Sequence, residues 1–233
     1  MPSYLDKLPE SARRVGRAEN EITLLTDPAE IETIRRQRAE DVRRGALPPG
    51  SDNIGIAFED EYFLVVRDAV RFPSGERGTY VRVFERSALD GPSGVVMVAA
   101  RNGRVLLRRM FRHATRSWEL ECPRGFREAG RTVAETLEDE ARQELGLPII
   151  RTEHLGHVAP NTGLFAGVAE AFYIEVGDGR PQPRPDPQEA LGGIEECPAD
   201  ELLRRVASGD IRDGFSLSAL FLAHSRGLLA SSS

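Results

Sequence analysis

Cysteine is scarce in this chain. Its 233 residues include only Cys122 and Cys197, too few for the disulfide framework of a small secreted domain or for a zinc cluster. The four histidines have no metal-ligand spacing and are interpreted as structural or surface residues. We therefore expect a cytoplasmic protein, since the cytoplasm keeps thiols reduced.

Long apolar runs and an excess of positive charge are also missing. No segment approaches the roughly 20 apolar residues of a transmembrane helix, and residues 1–26 lack the apolar core of a signal peptide. The net charge is −6, whereas a general nucleic-acid binder needs a basic face to neutralise phosphates. The composition therefore predicts neither a membrane nor a nucleic-acid partner. A hydrophobic content of 40% is enough for one sizeable core with appendages.

Residues 1–53 are interpreted as an N-terminal extension that contains one helix. Asp27 is a capping residue, and it is followed by a first-turn proline and a first-turn acid. The helix is predicted to run to about Arg44 and to stop at Gly45. Its five arginines are interleaved with acids, which favours a mixed solvated face over a basic binding patch.

Residues 54–93 have the pattern of a small antiparallel sheet, and residues 94–233 that of an α/β domain. β-branched and aromatic residues fill both arms of the first hairpin, and a Pro-Ser-Gly-Glu sequence marks its turn. A second hairpin, with an Asn102-Gly103 turn, is predicted at the start of the α/β domain. Helices at about 198–208 and 216–229 are predicted to close that domain.

The segment from Trp118 to Leu147 is predicted to form a strand end, a glycine-rich loop and one helix. Thr132 and Glu135 form a capping box, so the helix should begin at Val133. Gly146, with Pro148 two residues later, predicts its end. The apolar residues at helical spacing predict a buried stripe: Ala134, Leu137, Ala141 and Leu145.

Two glutamates of this helix are candidate metal ligands. Glu140 and Glu144 lie one turn apart, which predicts both carboxylates on one face, near the loop that carries Gly125. Carboxylate and carbonyl oxygens are the ligands that Mg²⁺ or Mn²⁺ prefers. Glutamates at this spacing more often form a solvated face, so the spacing alone leaves both interpretations open.

The loop and helix together resemble the Nudix box. That pattern is a Gly, five residues, Glu, seven residues, Arg-Glu, an aliphatic, any residue, Glu-Glu, any residue, Gly and an aliphatic. The positions in register are Gly125, Glu140, Ala141, Glu144, Gly146 and Leu147.

Three positions depart from the box. Gln143 replaces the first of the paired glutamates, and Arg131 and Asp139 stand where the family has a glutamate and an arginine. The resemblance implies that Arg131 and Asp139 form the family's supporting ion pair with its direction reversed. We expect the two side chains to contact each other and to pin the loop that carries Arg124 over the helix.

The resemblance covers roughly residues 63–222 and is greatest to the ADP-ribose pyrophosphatase branch. It is carried beyond the box by the segments VLLRRMFRHAT, APNTGLFAGVAEAFYIEV and DGFSLSALFLA. It implies an α/β fold in which a mixed sheet lies between helices, and a homodimer built through the small antiparallel sheet. It also implies Mg²⁺ or Mn²⁺ bound by Glu140, Glu144 and the backbone carbonyl of Arg124. The implied reaction is hydrolysis of a nucleoside diphosphate linked to another group, with ADP-ribose or a nucleotide sugar as the expected substrate.

The same resemblance implies residues that bind the substrate and activate water. Arg109 and Arg112 precede the box, where guanidinium groups suit phosphate oxygens. The branch's water-activating glutamate would fall on Gly192, which has no carboxylate. Glu189 is the nearest upstream acid and is the predicted base; the alternatives are Glu195 and Glu196.

A second function remains open from the sequence. Gln143 and Gly192 each remove a carboxylate that the active family has, as expected of a nucleotide-binding sensor or scaffold that has lost hydrolysis. Glu140 and Glu144 favour the enzyme, because a pure binding module has no need for two acids that face phosphates.

Overall fold

The computed structural model describes residues 3–16, 20–184, 186–187 and 190–229, and the chain divides into two compact units. One unit comprises Met1–Gly91 together with Asn161–Gly167. The other comprises Pro92–Pro160 and Val168–Ser233. The sequence did not indicate that the short segment Asn161–Gly167 belongs to the first unit, because its partners lie far away along the chain. Val83, for example, forms a parallel bridge with Phe165.

The first unit contains a four-stranded antiparallel sheet and one long helix. Its elements are β1 (Thr23–Leu24), α1 (Pro28–Arg43), β2 (Gly55–Glu59), β3 (Phe63–Arg71) and β4 (Arg77–Glu85). Strand β3 pairs with each of the other three strands. The predicted limits of α1 are confirmed, since Asp27 accepts a hydrogen bond from Ala29 N at 3.0 Å and Gly45 has φ 74°. Two short 3₁₀ turns, Tyr4–Lys7 and Glu10–Arg13, were not predicted.

The second unit contains a seven-stranded mixed sheet. Its strands are β5 (Gly94–Arg101), β6 (Arg104–Arg112), β7 (Ser117–Glu121), β8 (Arg124–Phe126), β9 (Ile149–Val158), β10 (Ala169–Val176) and β11 (Leu191–Pro198). The strand order is β11-β6-β5-β10-β9, with β7 paired to β6 and β8 paired to β5. The pairing of β5 with β10 is parallel and the other described pairings in this sheet are antiparallel.

Helices cover both faces of this sheet. They are α2 (Val133–Glu140), α3 (Ala199–Ser208) and α4 (Gly214–Ser225). Side chains alternate between the faces of a strand, so Met97 of β5 and Leu106 of β6 pack with α2. Val98 and Leu107, their neighbours, pack with α3 and α4 instead. The predicted mixed sheet between helices is confirmed, although α4 ends four residues before the predicted position 229.

The hairpin between β5 and β6 was predicted correctly, whereas four strands were missed: β1, β8, β9 and β11. Asn102 and Gly103 have φ 50° and 72°, the pair of positive values that a two-residue hairpin turn of type I′ requires. Strand β9 was missed because a bulge near Gly156 interrupts its alternation. Strand β11 begins Leu-Gly-Gly, and glycine weakens a strand signal.

In the part of the chain that the structure describes, no helix has the length and apolar character needed to cross a membrane.

Candidate active site

The helix that carries the candidate ligands begins and ends where the local signals predict. Thr132 Oγ1 accepts from Glu135 N at 3.2 Å, and Glu135 Oε2 accepts from Thr132 N at 2.8 Å, so the capping box is complete. Helix α2 begins at Val133, and Gly146 ends the helical segment with φ 62°. Because both signals act within one turn, the sequence was sufficient to locate them.

The last turn of this helix is a π-helix over Ala141–Leu145, which the sequence did not predict. Gly146 N donates to Ala141 O, five residues back, at 3.0 Å. The predicted stripe is correct for three residues, Leu137, Ala141 and Leu145. It is wrong for Ala134, which is exposed because Val133 makes the core contact at the start of the helix. Thr136 and Glu144 are buried instead.

The two candidate carboxylates have different surroundings. The Glu140 carboxylate lies directly against Gly125, so a Cβ atom at that glycine would overlap it. Glu144 is 1% exposed, and both its carboxylate oxygens are shielded from solvent. Gly125 is therefore required by the close approach of a carboxylate rather than by an unusual backbone conformation.

The donor set fits a hard divalent cation. Carboxylates from Glu140 and Glu144, together with the carbonyl of Arg124 beside Gly125, offer only oxygen ligands, as Mg²⁺ and Mn²⁺ prefer. Among the residues that the structure describes, no three His, Cys, Asp or Glu side chains are grouped as ligands of one ion. Water or substrate oxygens would complete the coordination, which is common for Mg²⁺.

Arg131 and Asp139 are in contact. Arg131 Nη2 binds Asp139 Oδ2, and Arg131 Nη1 lies 3.7 Å from Glu135 Oε1. Arg142 Nη1 binds Asp139 Oδ1 at 2.7 Å, and this hydrogen bond, with the charge of Arg131, lowers the pKa of Asp139. The side chains of Arg131 and Asp139 are 40% and 26% exposed. The exchanged pair is thus one contact in a partly exposed ion-pair network between the loop and the helix.

Arg112 makes a bidentate ion pair with a buried glutamate. Its Nε lies 3.0 Å from both carboxylate oxygens of Glu121, and Nη2 also donates to Oε2. Arg124 Nε lies 3.4 Å from the same Oε2. Burial acts to lower the pKa of Arg112, but the hydrogen bonds and charge of Glu121, with the charges of Asp213 and Glu144, raise it. Arg112 is therefore a fixed cation within the electrostatic field of Glu144.

The two candidate substrate-binding arginines lie on opposite faces of the sheet. Arg112 is an even-numbered residue of β6, like Leu106, which packs with α2. Arg109 shares the face of Leu107, which packs with α3 and α4, and its Nε binds Glu195 Oε1 at 2.5 Å. The structure therefore brings Arg112, and not Arg109, to the face that carries the helix carboxylates.

Comparison with known proteins identifies this arrangement. Residues 91–214 match the NUDIX domain, and this range is more than half of the chain. The chain belongs to the NUDIX family. It is accordingly a Nudix pyrophosphohydrolase, as the resemblance predicted, and the matched residues include the loop and helix that resemble the Nudix box.

One solved structure supports the fold. The crystal structure of an ADP compounds hydrolase is 20% identical in sequence and has a TM-score of 0.61. The similarity covers 74% of this chain and 91% of that chain. No curated protein sequence matches the chain.

The segment expected to carry the catalytic base of this Nudix enzyme enters next to the Nudix helix. Glu189, the predicted base, lies outside the residues that the structure describes. Just before it, Arg184 N donates to Gln143 O at 2.8 Å, and the backbone of Gln182 packs against Gly146. The chain is thus attached to the C-terminal end of the helix a few residues before Glu189.

The alternative base positions are occupied by other interactions. A Cβ at Gly192 would lie 2.8 Å from Arg109 Cβ, so a larger side chain there requires movement of β6. Glu195 binds Arg109 and also Arg205 Nη1, the latter at 2.7 Å. Burial acts to raise the pKa of Glu195, but these two guanidinium groups lower it. Glu196 contacts Arg101 Nη2 and lies 3.8 Å from Arg104 Nε.

Sequence reasoning missed two acids of the Nudix site, Glu121 and Asp213. Glu121 is 2% exposed and is the partner of both Arg112 and Arg124. Asp213 caps α4 and lies 3.5 Å from Arg124 Nη2. The burial of Glu121 follows from the covering of both sheet faces by helices, which is not a local sequence signal.

Proposed function

We propose that this Nudix enzyme hydrolyses the diphosphate linkage of a nucleoside diphosphate joined to another group, and that it requires Mg²⁺ or Mn²⁺. ADP-ribose or a nucleotide sugar is the proposed substrate class. The proposal depends on one observation: the Glu140 carboxylate lies against Gly125, one helical turn before the buried Glu144. The description of the similar solved structure as an ADP compounds hydrolase agrees with the substrate class.

Each protein group has a proposed task. Glu140, Glu144 and the Arg124 carbonyl would hold the cation. When bound, the cation neutralises charge on the diphosphate and makes a water molecule more acidic. Arg112 supports the substrate: Glu121 engages its Nε and Nη2, and we assign Nη1 to a phosphate oxygen. Arg109 has no part in this proposal, because it lies on the opposite face of the sheet.

Glu189 is the proposed general base. Two observations support it: the chain before it is attached to the Nudix helix through Arg184 and Gln143, and Glu195 and Glu196 are engaged by arginines. A carboxylate on this segment would remove a proton from the attacking water and so complement the cation. General bases commonly contribute about 10²–10⁴-fold in rate.

The deciding experiment compares Glu140→Gln with Glu138→Gln. Glu138 is an exposed residue of the same helix, so its variant controls for the loss of one negative charge. A panel of ADP-ribose and nucleotide sugars with Mg²⁺ or Mn²⁺ is assayed for nucleotide release. We expect Glu140→Gln to abolish turnover and weaken Mn²⁺ binding while unfolding like the parent, and Glu138→Gln to remain active. Unchanged catalysis in Glu140→Gln would remove the Nudix mechanism.

The sensor function is the second candidate, and two observations favour it. Gln143 supplies an amide where the family has a carboxylate, and Gly192, where the family's base would fall, has no carboxylate and packs against Arg109. The same panel distinguishes the two functions. Tight binding of a nucleotide without product release, in the parent and with either metal, would favour the sensor.

A further inference from the structure

The first turn of α4 is joined to the loop that carries Arg124 by a closed set of contacts. Cys122 N donates to Ser216 Oγ at 2.9 Å. Ser216 N and Oγ both donate to Asp213 Oδ2, at 2.9 and 2.8 Å. The other carboxylate oxygen of Asp213 lies 3.5 Å from Arg124 Nη2. The start of α4 is therefore connected to the loop at two points, Cys122 and Arg124.

The contact between Cys122 and Ser216 is shielded from water. Ser216 has 0% exposure and Cys122 has 1%, so the hydrogen bond between them has no competing solvent. The Arg124 guanidinium is also held on two further sides, by Glu121 Oε2 and by the Phe215 ring, whose centroid lies 4.7 Å from Arg124 Cζ. A buried amide that loses its acceptor cannot find a replacement in water. The loop would therefore move if the acceptor were removed.

The loop is held from its other side by the sheet. Met97 N of β5 donates to Pro123 O at 2.8 Å, and Arg124 pairs with Val96. The peptide groups between Cys122 and Arg124 are thus clamped between β5 and the start of α4. A metal-binding carbonyl has no side-chain torsions with which to adjust, so its position depends entirely on how the backbone is held.

We propose that Asp213 and Ser216 are positioning residues that hold the Arg124 carbonyl in place for the divalent cation. This inference rests on the proposed function. Asp213 also caps α4, but a cap does not need a serine hydroxyl that accepts from Cys122 N. That contact is what connects the last helix to the metal-binding loop.

The test measures Mn²⁺ affinity directly, well below the unfolding temperature, from the electron paramagnetic resonance signal of free Mn²⁺. Ser216→Ala removes the acceptor of Cys122 N. Asp213→Asn keeps an oxygen for the Ser216 donors but removes the charge that faces Arg124. We expect Mn²⁺ binding about tenfold weaker in Ser216→Ala, the size typical of residues that orient a metal ligand, and a smaller weakening in Asp213→Asn.

Two controls separate positioning from helix stability. Ser225→Ala removes a serine hydroxyl of the same helix, which donates to Leu222 O at 2.9 Å, and Asp27→Ala removes the cap of α1. Both should lower stability at most and leave the Mn²⁺ affinity at the parent value. If Ser216→Ala does not fold, the Mn²⁺ affinity of Asp213→Asn tests the positioning role.

The outcomes are distinct from those of the proposed function. Parent-like Mn²⁺ affinity in Ser216→Ala and Asp213→Asn, with Glu140→Gln still weakening it, overturns the positioning role alone. A lower unfolding temperature at unchanged affinity has the same meaning, because it is the result expected of a simple cap. If Glu140→Gln itself leaves Mn²⁺ binding unchanged, both proposals fail.

Discussion

The carboxylate of Glu195 is engaged by two guanidinium groups, from Arg109 and Arg205. Burial alone would raise its pKa, but the hydrogen bonds and charges of the two arginines lower it. A general base works best when its pKa lies near the operating pH. Glu195 is therefore a weak base held between two arginines, and its role can be tested against the one proposed for Glu189.

We predict opposite consequences for the two glutamates. Glu189→Gln should lower kcat by about 10²–10⁴-fold, as expected for loss of a general base, with little change in Mn²⁺ affinity. Glu195→Gln should retain most of the turnover, because it removes an ion pair on the other face of the sheet. Steady-state kinetics and Mn²⁺ titration of both variants determine which glutamate acts as the general base. Parent-like kcat in Glu189→Gln, with a large loss in Glu195→Gln, would transfer the role to Glu195.

A second residue of interest is Glu85, in the first unit. It is 6% exposed, and its Oε2 is buried without a hydrogen-bond partner among the described residues. Burial raises its pKa above the ordinary value of 4.5. The folded state therefore prefers the protonated carboxyl. Its contribution to stability is fully present below pH 4.5 and is lost as pH rises through the raised folded pKa.

Glu85→Gln should accordingly stabilise the protein at pH 8, by on the order of 1 kcal/mol, and have little effect at pH 4. The neutral amide avoids burying an ionised carboxylate. Urea unfolding at the two pH values measures the difference, and Glu76→Gln, at an exposed hairpin position, is the control. An equal effect of Glu85→Gln at both pH values would contradict this account.

Among the structural elements, the end of the Nudix helix has the most unusual surroundings. Gly146 is left-handed, with φ 62°, and a Cβ there would overlap the backbone of Gln182. Gly209 ends α3 in the same conformation, with φ 82°, but no atom lies within 4 Å of its Cβ position. Both helix ends require a left-handed residue, but only the end at Gly146 also has another chain segment, at Gln182, packed against it.

The paired variants Gly146→Ala and Gly209→Ala separate these contributions. Gly209→Ala should cost about 1–2 kcal/mol, the strain of a left-handed non-glycine residue. Gly146→Ala should cost more, because the Gln182 backbone must move. It should also lower kcat if the segment that follows carries the base, as proposed for Glu189. The free energy of unfolding in urea gives the stability terms. Equal losses in the two variants would mean that the segment at Gln182 is not held by the helix end.

For the whole molecule, the first unit is the part whose role the family match explains least. The NUDIX match begins at residue 91, where that unit's main segment ends. Its hairpin exposes two aromatic residues, Phe58 at 52% and Tyr62 at 57%. Large exposed aromatics are typical of contact surfaces between proteins. We therefore predict that the homodimer implied by the family resemblance forms through this hairpin.

We predict a mass of about twice 25.7 kDa in solution, measured by light scattering after size exclusion. Phe58→Asp should shift the protein towards the monomer, because a charge would be buried in the contact. Ile150→Asp changes a residue that is 67% exposed in the second unit and serves as the control. A monomeric parent would contradict the dimer.

What the sequence by itself determined is local. The capping box at Thr132, the left-handed Gly146, the start of α1 at Asp27 and the Asn102-Gly103 turn all depend on interactions within a few residues. Each could therefore be predicted from the sequence. The contact between Arg131 and Asp139 was also expected. The two residues occupy the positions of the family's glutamate and arginine ion pair, with acid and base exchanged.

Apart from that pair, only the tertiary structure decided which charged groups meet. Arg109 and Arg112 are neighbours in sequence, yet the pleat of β6 directs them to opposite faces of the sheet. The acceptor of Cys122 N comes from Ser216, 94 residues later. Such contacts depend on how α4 packs against the sheet. The π-helical turn that contains the buried Glu144 also has no local sequence signal. Long-range packing, rather than residue type, therefore determines the electrostatics of this active site.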